Sequence, residues 1–290
     1  MDTDDVYEFQ QFLKGHGRSG HQLSVLVLVG SGLSQASGLP AYNTSSDYDN
    51  VWRNYTVIDL ATLDAFDSNP AIVWLFYALR RTQSLRARPN DGHSILAQLS
   101  HDERFKSLTI TQNMDRLHER VNHDPKKLVE FYGSWFIEKC TNFLCNFERT
   151  NYNDPLTPAL DTSKYSSPDT QLPNIKSLDE LPNCPICNSL LRPGVLFFGE
   201  SLPLSLIDEV DEFMINHPVD LLLVIGTSHS CWPASAYIDL VRNQGGKIAV
   251  FNTIRDKEID KFSQSTKVWQ FIGNCSITLP QVFSPILENR

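Results

Sequence analysis

No apolar run in the 290-residue chain approaches the ~20 residues that a membrane-spanning helix needs. The opening residues, Met1-Asp2-Thr3-Asp4-Asp5, lack the basic-then-apolar pattern of a secretory leader. These absences predict a soluble, intracellular protein with no membrane partner, and leave cytoplasm, nucleus and mitochondrion undistinguished. Basic charge is also scarce: 25 Lys and Arg stand against 34 Asp and Glu, for a net charge of -9. A surface that neutralises phosphates needs clustered cations, so direct nucleic-acid binding is not expected, whereas a basic lysine-bearing substrate is permitted. Internal repeats are missing too. What is present is apolar content, 41% of residues, enough for a packed core. The length suggests one large α/β domain with a smaller one attached.

Strands and helices alternate along the chain. Leu23 to Val29 reads as a buried strand, Val6 to Leu13 as a short helix before it, and Ala71 to Leu85 and Pro89 to Leu99 as helices after it. "SLTIT" (107–111), Lys126 to Phe131, "GVLFFG" (194–199), "DLLLVIGTS" (220–228) and "KIAVFNT" (247–253) read as further strands. Helices are expected over Leu204 to Ile215, Pro233 to Asn243 and from Asn113 through "QNMDRLHERV". This spacing predicts a parallel sheet with covered faces. Between Thr150 and Pro182 five prolines, with many Ser, Asp and Asn, predict a surface excursion outside the core.

The first strand runs into Gly30-Ser31-Gly32, a turn that can hold phosphates at a helix start. The third glycine of the dinucleotide fingerprint is lacking, since Gln35 occupies its place, so a plain strand-to-helix turn remains open. Two other strands close on small or polar residues, at Gly226-Thr227-Ser228 and at Asn252. Ligands of open parallel sheets sit beyond such carboxyl ends, so a nucleotide crevice is plausible. "TQNMD" (111–115) follows a strand directly, and Asn113 and Asp115 suit either a helix cap or a ligand.

Six cysteines in a chain read as intracellular point to metal ligands or core residues before disulfides. Cys140-x4-Cys145 and Cys184-x2-Cys187 are two close pairs that can converge on a tetrahedral zinc. A redox CxxC or chance burial is the alternative. Four protein ligands leave no open position, so such a zinc would be structural. Cys231 and Cys275 fall outside the pattern and read as core.

Taken together, the chain resembles the sirtuin family of NAD-dependent protein deacylases over nearly its whole length. The matching residues are Gly30-Ser31-Gly32, Ser37-Gly38-Leu39-Pro40, Thr111-Gln112-Asn113-Met114-Asp115, Gly133-Ser134 and the four cysteines. Arg192-Pro193-Gly194, Phe198-Gly199-Glu200, Gly226-Thr227-Ser228 and Asn252 complete them. The resemblance implies a Rossmann-like NAD domain (1–44, 88–134 and 196–290), a helical module (45–87) and a zinc-binding lobe (135–195). It places NAD against Gly30, Ser31, Gly32, Gln112, Asn113, Asp115, Gly226, Thr227, Ser228 and Asn252, and an acyl-lysine peptide beside Phe198, Gly199, Glu200 and the loop near Ser230. A monomer is expected.

Within the family the chain is most similar to the class that removes succinyl and malonyl groups. Tyr77 and Arg80, three apart on one helix face, match the pair that reads the acyl carboxylate there. A guanidinium can grip a carboxylate bidentately while a phenol adds one more hydrogen bond. The chain departs from the family at Tyr132, which stands where a catalytic histidine draws a proton from a ribose hydroxyl. Phenol has a reference pKa of ~10, so only about one tyrosine in a thousand is ionised at pH 7. Other departures are Ser31 for alanine, Tyr42-Asn43 for Phe-Arg, Thr44 to Asp47 for a glycine-rich stretch, and His229. Their clustering reads as divergence, with a deliberate inactivating substitution at Tyr132 as the alternative. His93 and His118 read as structural. The expectation is a weakened acidic-acyl deacylase with Tyr132, Asn113 and Asp115 at its catalytic centre. A module that binds NAD or ADP-ribose without turnover, or an enzyme repurposed for a small molecule, is the alternative.

Overall fold

A computed structural model describes residues 2–18, 22–40, 52–165, 167, 170–227 and 234–288. Tyr42 to Asp47, Ser228, His229, Ser230 and Cys231 lie outside these residues. The chain forms two compact units: Met1–Ala41, Arg88–Phe131 and Pro203–Arg290 make the first, and Tyr42–Ala87 and Tyr132–Leu202 the second. No described helix is long and apolar enough to cross a membrane.

The first unit is a Rossmann-like α/β domain. Its strands, numbered along the whole chain, are β1 (Leu23–Val29), β2 (Phe105–Thr111), β3 (Leu128–Glu130), β7 (Leu221–Ile225), β8 (Lys247–Asn252) and β9 (Val268–Ile272). They lie in the order β3-β2-β1-β7-β8-β9 with every pairing parallel. The helices are α1 (Thr3–Arg18), α2 (Gly32–Gln35), α6 (Asp91–His101), α7 (Leu204–Asn216), α8 (Ala234–Asn243), α9 (Lys257–Asp260) and α10 (Cys275–Leu287). All residues of β1 and β7 are buried, which is why both read as unbroken aliphatic runs rather than as alternating ones. On one side Phe9, Leu96, Leu99, Leu279, Val282 and Phe283 from α1, α6 and α10 pack against Val25, Val27, Leu223 and Phe251.

Strand order reverses at β1, whose partners are β2 on one side and β7 on the other. That switch point is where an open α/β sheet leaves a crevice at its carboxyl edge. The Gly30-Ser31-Gly32 turn lies there.

The second unit is smaller. It holds α3 (Val57–Leu60), α4 (Leu63–Ser68), α5 (Pro70–Arg86) and the antiparallel sheet β5-β4-β6, formed by Glu148–Thr150, Gly133–Cys140 and Leu191–Val195. Asn69 caps α5 through Ile72 N–H, with Pro70 in its first turn. Arg81 is buried at the centre. It donates to the carbonyls of Trp135, Asn151 and Asn153 at 2.7, 2.7 and 3.0 Å and lies over the Phe136 ring.

Three expectations need correction. No α-helix follows Asn113: the chain stays irregular to a 3-10 turn at Glu119–Val121, because Arg116 takes a positive φ and Asp115 accepts from Leu117 N–H. "GVLFFG" is only partly strand, since β6 ends at Val195 and Phe198 pairs instead with Thr62. The proline-rich excursion is not all surface. Leu160, Tyr165 and Leu181 are buried, and Tyr165 donates its hydroxyl proton to the Leu75 carbonyl at 3.1 Å.

Candidate active site

The carboxyl ends of β1, β2, β7 and β8 carry an interlocked polar network. Gly30 N–H donates to Ile225 O (2.9 Å), Gly32 N–H to Gly226 O (3.0 Å) and Gly226 N–H to Phe251 O (2.9 Å). A side chain on Gly30 would meet Thr227 Cβ at 2.6 Å, and one on Gly32 would meet Gly226 Cα at 2.7 Å. These glycines are therefore required by the approach of two loops, whatever ligand sits beyond them. Thr227 donates to Gln112 Oε1 at 2.8 Å, and Asn252 Nδ2 to Thr227 O at 3.0 Å. The predicted residues Gly30, Gln112, Gly226, Thr227 and Asn252 are thus brought together, with Ser31 in the same turn.

Asn113 and Asp115 are buried beside them. Asn113 Nδ2 donates to Gly30 O (3.1 Å) and Ser34 Oγ (3.2 Å), and Ser34 donates to Asp115 Oδ2 at 2.6 Å. Burial pushes the Asp115 carboxyl above its ordinary range, against the bonds from Ser34 and Leu117. The next link is His93, whose Nε2 lies 3.5 Å from Ser34 Oγ and whose Nδ1 accepts from Asn90 N–H. That amide fixes the tautomer: Nδ1 holds the lone pair, so the proton sits on Nε2 and faces Ser34. Burial lowers the His93 pKa to about 3, keeping the ring neutral. The sequence reading missed Ser34 and the link through His93. Ser34's position, one turn after the glycines and still polar in a buried helix start, was the available signal.

A row of buried amide, hydroxyl and carboxyl groups at a switch point is costly in an apolar core and suits the hydroxyls and amide of a dinucleotide.

In the second unit the four predicted cysteines converge. Their sulfurs all lie within 4.8 Å of one another, with Cys140–Cys187 at 3.5 Å and Cys145–Cys184 at 3.7 Å. Four thiolates ~2.3 Å from a tetrahedral zinc are about 3.8 Å apart, so the cluster is dimensioned for one structural zinc ion.

Tyr77 and Arg80 share the second unit with Phe198, Gly199 and Glu200. Tyr77 is buried against the rings of Phe76 (5.0 Å) and Phe197 (6.0 Å). Arg80 is half-buried, with its guanidinium over Phe76 at 5.0 Å and a 3.3 Å contact to Gln83 Oε1. Phe198 N–H donates to Ala61 O (2.8 Å), its ring is exposed, and Gly199 has a φ of 88°. Burial pushes the Glu200 carboxyl up, but Arg192 and the Phe197 amide outweigh it and hold the pKa below its usual range. Tyr132 is half-buried before β4, and its carbonyl accepts from Leu196 N–H at 2.9 Å.

The sequence model described as the Sir2 family matches residues 30–233. A Candida albicans NAD-dependent protein deacylase is 42% identical over 97% of each chain. The mitochondrial NAD-dependent protein deacylase sirtuin-5 of Canis lupus familiaris is 35% identical, covering 90% of this chain and 81% of its own. A Sir2 homologue crystallised with NAD superposes with a TM-score of 0.75 at 28% identity, covering 96% and 94% of the two chains. A Sir2 variant with tyrosine in place of a histidine, bound to p53 peptide and NAD, has a TM-score of 0.69 at 25% identity and covers 97% and 98%. Sheet order, strand-end network, thiol cluster and sequence agree: the chain belongs to the Sir2 family.

Proposed function

We propose that the chain is an NAD-dependent protein-lysine deacylase scaffold with a preference for acidic acyl groups and with slow turnover. The observation that carries the reading is the 42% identity to a deacylase over 97% of both chains. NAD, when bound, supplies the ribose carbon that accepts the acyl oxygen and releases nicotinamide. Gly30, Ser31, Gly32, Gly226, Thr227, Ser228 and Asn252 would hold its phosphate and adenosine side, and Gln112, Asn113 and Asp115 its nicotinamide ribose. Tyr77 and Arg80 would read a succinyl or malonyl carboxylate. One helix face carries both, and the Arg80 guanidinium lies over the Phe76 ring with a 3.3 Å contact to Gln83 Oε1.

Slow turnover follows from Tyr132. A phenol in its neutral form can donate a hydrogen bond to a ribose oxygen but is a poor proton acceptor at pH 7. The test is nicotinamide release with succinyl-, acetyl- and unmodified peptides, for this chain and for Tyr132→His. The expected result is release favouring the succinyl peptide, raised about 10²- to 10⁴-fold by histidine. Equal, unchanged rates on every peptide in both proteins would remove the reading.

A second reading has one observation in its favour. The tyrosine-for-histidine Sir2 variant holds peptide and NAD together. A binding module that retains NAD and an acylated partner without release of nicotinamide would give a melting shift with NAD in both proteins and turnover in neither.

A further inference from the structure

The loop between β6 and α7 is held by contacts that the functional reading does not use. Arg192 and Glu200 form a bidentate pair, Nη1–Oε1 and Nη2–Oε2 both at 2.7 Å. The same Nη2 donates to Val195 O at 2.9 Å, and Glu200 Oε2 also accepts from Phe197 N–H at 2.7 Å. Both carboxylate oxygens are therefore occupied within the loop. Glu200 thus meets a substrate by backbone if at all, while its side chain fixes the turn.

Arg192 does a second thing. Its guanidinium lies over the Phe197 ring at 4.1 Å, a stacked cation–π contact. Phe197 is buried and also packs near Tyr77 at 6.0 Å and Phe66 at 6.2 Å. Phe197 is thus in contact with both Arg192 and the acyl-reading phenol. The next residue, Phe198, is tied to Ala61 and Thr62 and presents an exposed ring beside open space at Gly199.

We infer that Arg192 is a positioning residue that sets two substrate contacts at once: the peptide-binding backbone at Phe198 to Glu200, and, through the Phe197 ring, the phenol of Tyr77. The inference rests on the functional reading above, because it assigns a role within that substrate site. Acyl selectivity then depends on a residue that touches no part of the acyl group. Lysine cannot replace it. An ammonium is a point charge without the planar fork for a carboxylate or the flat face for a ring.

The experiment compares the unsubstituted protein, Arg192→Lys and Glu200→Gln by fluorescence anisotropy. The probes are one peptide in succinyl-lysine and acetyl-lysine forms, with ADP-ribose present so that no turnover occurs. Zinc content and ADP-ribose affinity are measured alongside. For Arg192→Lys the succinyl peptide should bind on the order of tenfold more weakly and the acetyl peptide about threefold, so selectivity falls. Zinc and ADP-ribose should bind as before. Glu200→Gln keeps the side chain's shape and one acceptor oxygen, and should shift both affinities in the same direction by less. If Arg192→Lys loses zinc, the milder variant decides on the same readouts. Unchanged affinities and selectivity in the deciding variant overturn the inference alone. Failure of the unsubstituted protein to prefer the succinyl peptide overturns the functional reading, and the inference falls with it.

Discussion

The two units are stabilised by different means. The first has a parallel sheet whose central strands are buried end to end, with helices supplying a continuous apolar layer. The second has a short antiparallel sheet with an exposed outer strand, Glu148–Thr150, and a buried guanidinium at its centre. Around the thiol cluster the apolar residues point outward: Phe143, Leu144 and Ile186 are all exposed. A lobe that leaves its large side chains in water cannot draw its stability from their burial. Arg81 adds three charged hydrogen bonds to carbonyls, and burial lowers its pKa to about 10 against the pull of Glu138 and Asp154. One unit rests on apolar area, and the other adds a guanidinium and four sulfurs to the apolar core around Trp74, Phe76 and Phe136.

Removing the metal is the largest way to break this comparison. Structural zinc in small domains contributes on the order of 10 kcal/mol of apparent folding free energy. Chelation, or Cys184→Ser, should therefore unfold the lobe around β4, β5 and β6 while β1, β2 and β7 keep their amide protection. Hydrogen exchange read segment by segment checks this. Equal loss in both units would show that the first depends on the lobe, and no loss would show that the thiols need no metal.

The reciprocal break is Gly226→Ala. Gly226 has a φ of 59°, and an added Cβ would lie 2.5 Å from Leu33 N and 2.7 Å from Gly32 C. Backbone on both sides cannot move aside cheaply, and the left-handed conformation adds strain. Together these cost roughly 2–5 kcal/mol. The expected outcome is a lower melting temperature and loss of the NAD-induced shift, with zinc content intact. A full NAD shift in the variant would place the nucleotide away from this turn.

How much was legible varied with burial. β1 and β7 were plain in the sequence because strands buried on both faces read as aliphatic runs. The four cysteines were plain because metal ligation constrains spacing directly. α10 was not legible: Pro280 and Pro285 lie inside it, and each contradicts a helix by local preference. Its buried Leu279, Val282, Phe283 and Ile286 override that preference through packing on the sheet. The helix expected after Asn113 failed for the opposite reason. Asn113 and Asp115 spend their side chains on Gly30, Ser34 and Leu117, and Arg116 sits at a positive φ, so the backbone cannot wind. Ser34 and Arg192 were invisible as site residues because their partners, His93 and Glu200, are set by tertiary contact.

The smallest effect, and the one that sharpens the comparison most, is the first unit's own share of the acid sensitivity. His93, His118 and His123 stand edge to face, with ring centroids 5.1 and 5.5 Å apart. Burial lowers all three, His93 to about 3, and the neighbouring imidazoles push His118 further down. Unfolded, each titrates near its reference value of ~6.5. Between that value and the lowered ones the unfolded chain binds protons that the folded chain refuses, so stability falls as pH drops below ~6.5. Glu130 acts in the opposite sense. Burial raises it from 4.5 to about 7 despite Arg116, so the folded state binds a proton first in that interval and gains stability on acidification. Asp115, which burial also raises, works in the same sense as Glu130. Three rings outweigh two carboxylates, and the net loss from pH 6.5 to 5.5 should be about 1 kcal/mol, read from urea unfolding. His118 isolates the cause. Neither of its ring nitrogens has a hydrogen-bond partner among the described residues, so phenylalanine there should cost little at pH 7.5 and remove one titrating group. Acid also protonates the thiolates and releases metal, but that loss is independent of position 118 and is followed separately as free zinc. His118→Phe should therefore flatten the pH slope of the first unit and leave the zinc-release curve where it was. An unaltered slope would mean that the stacked rings are not the acid-sensitive element.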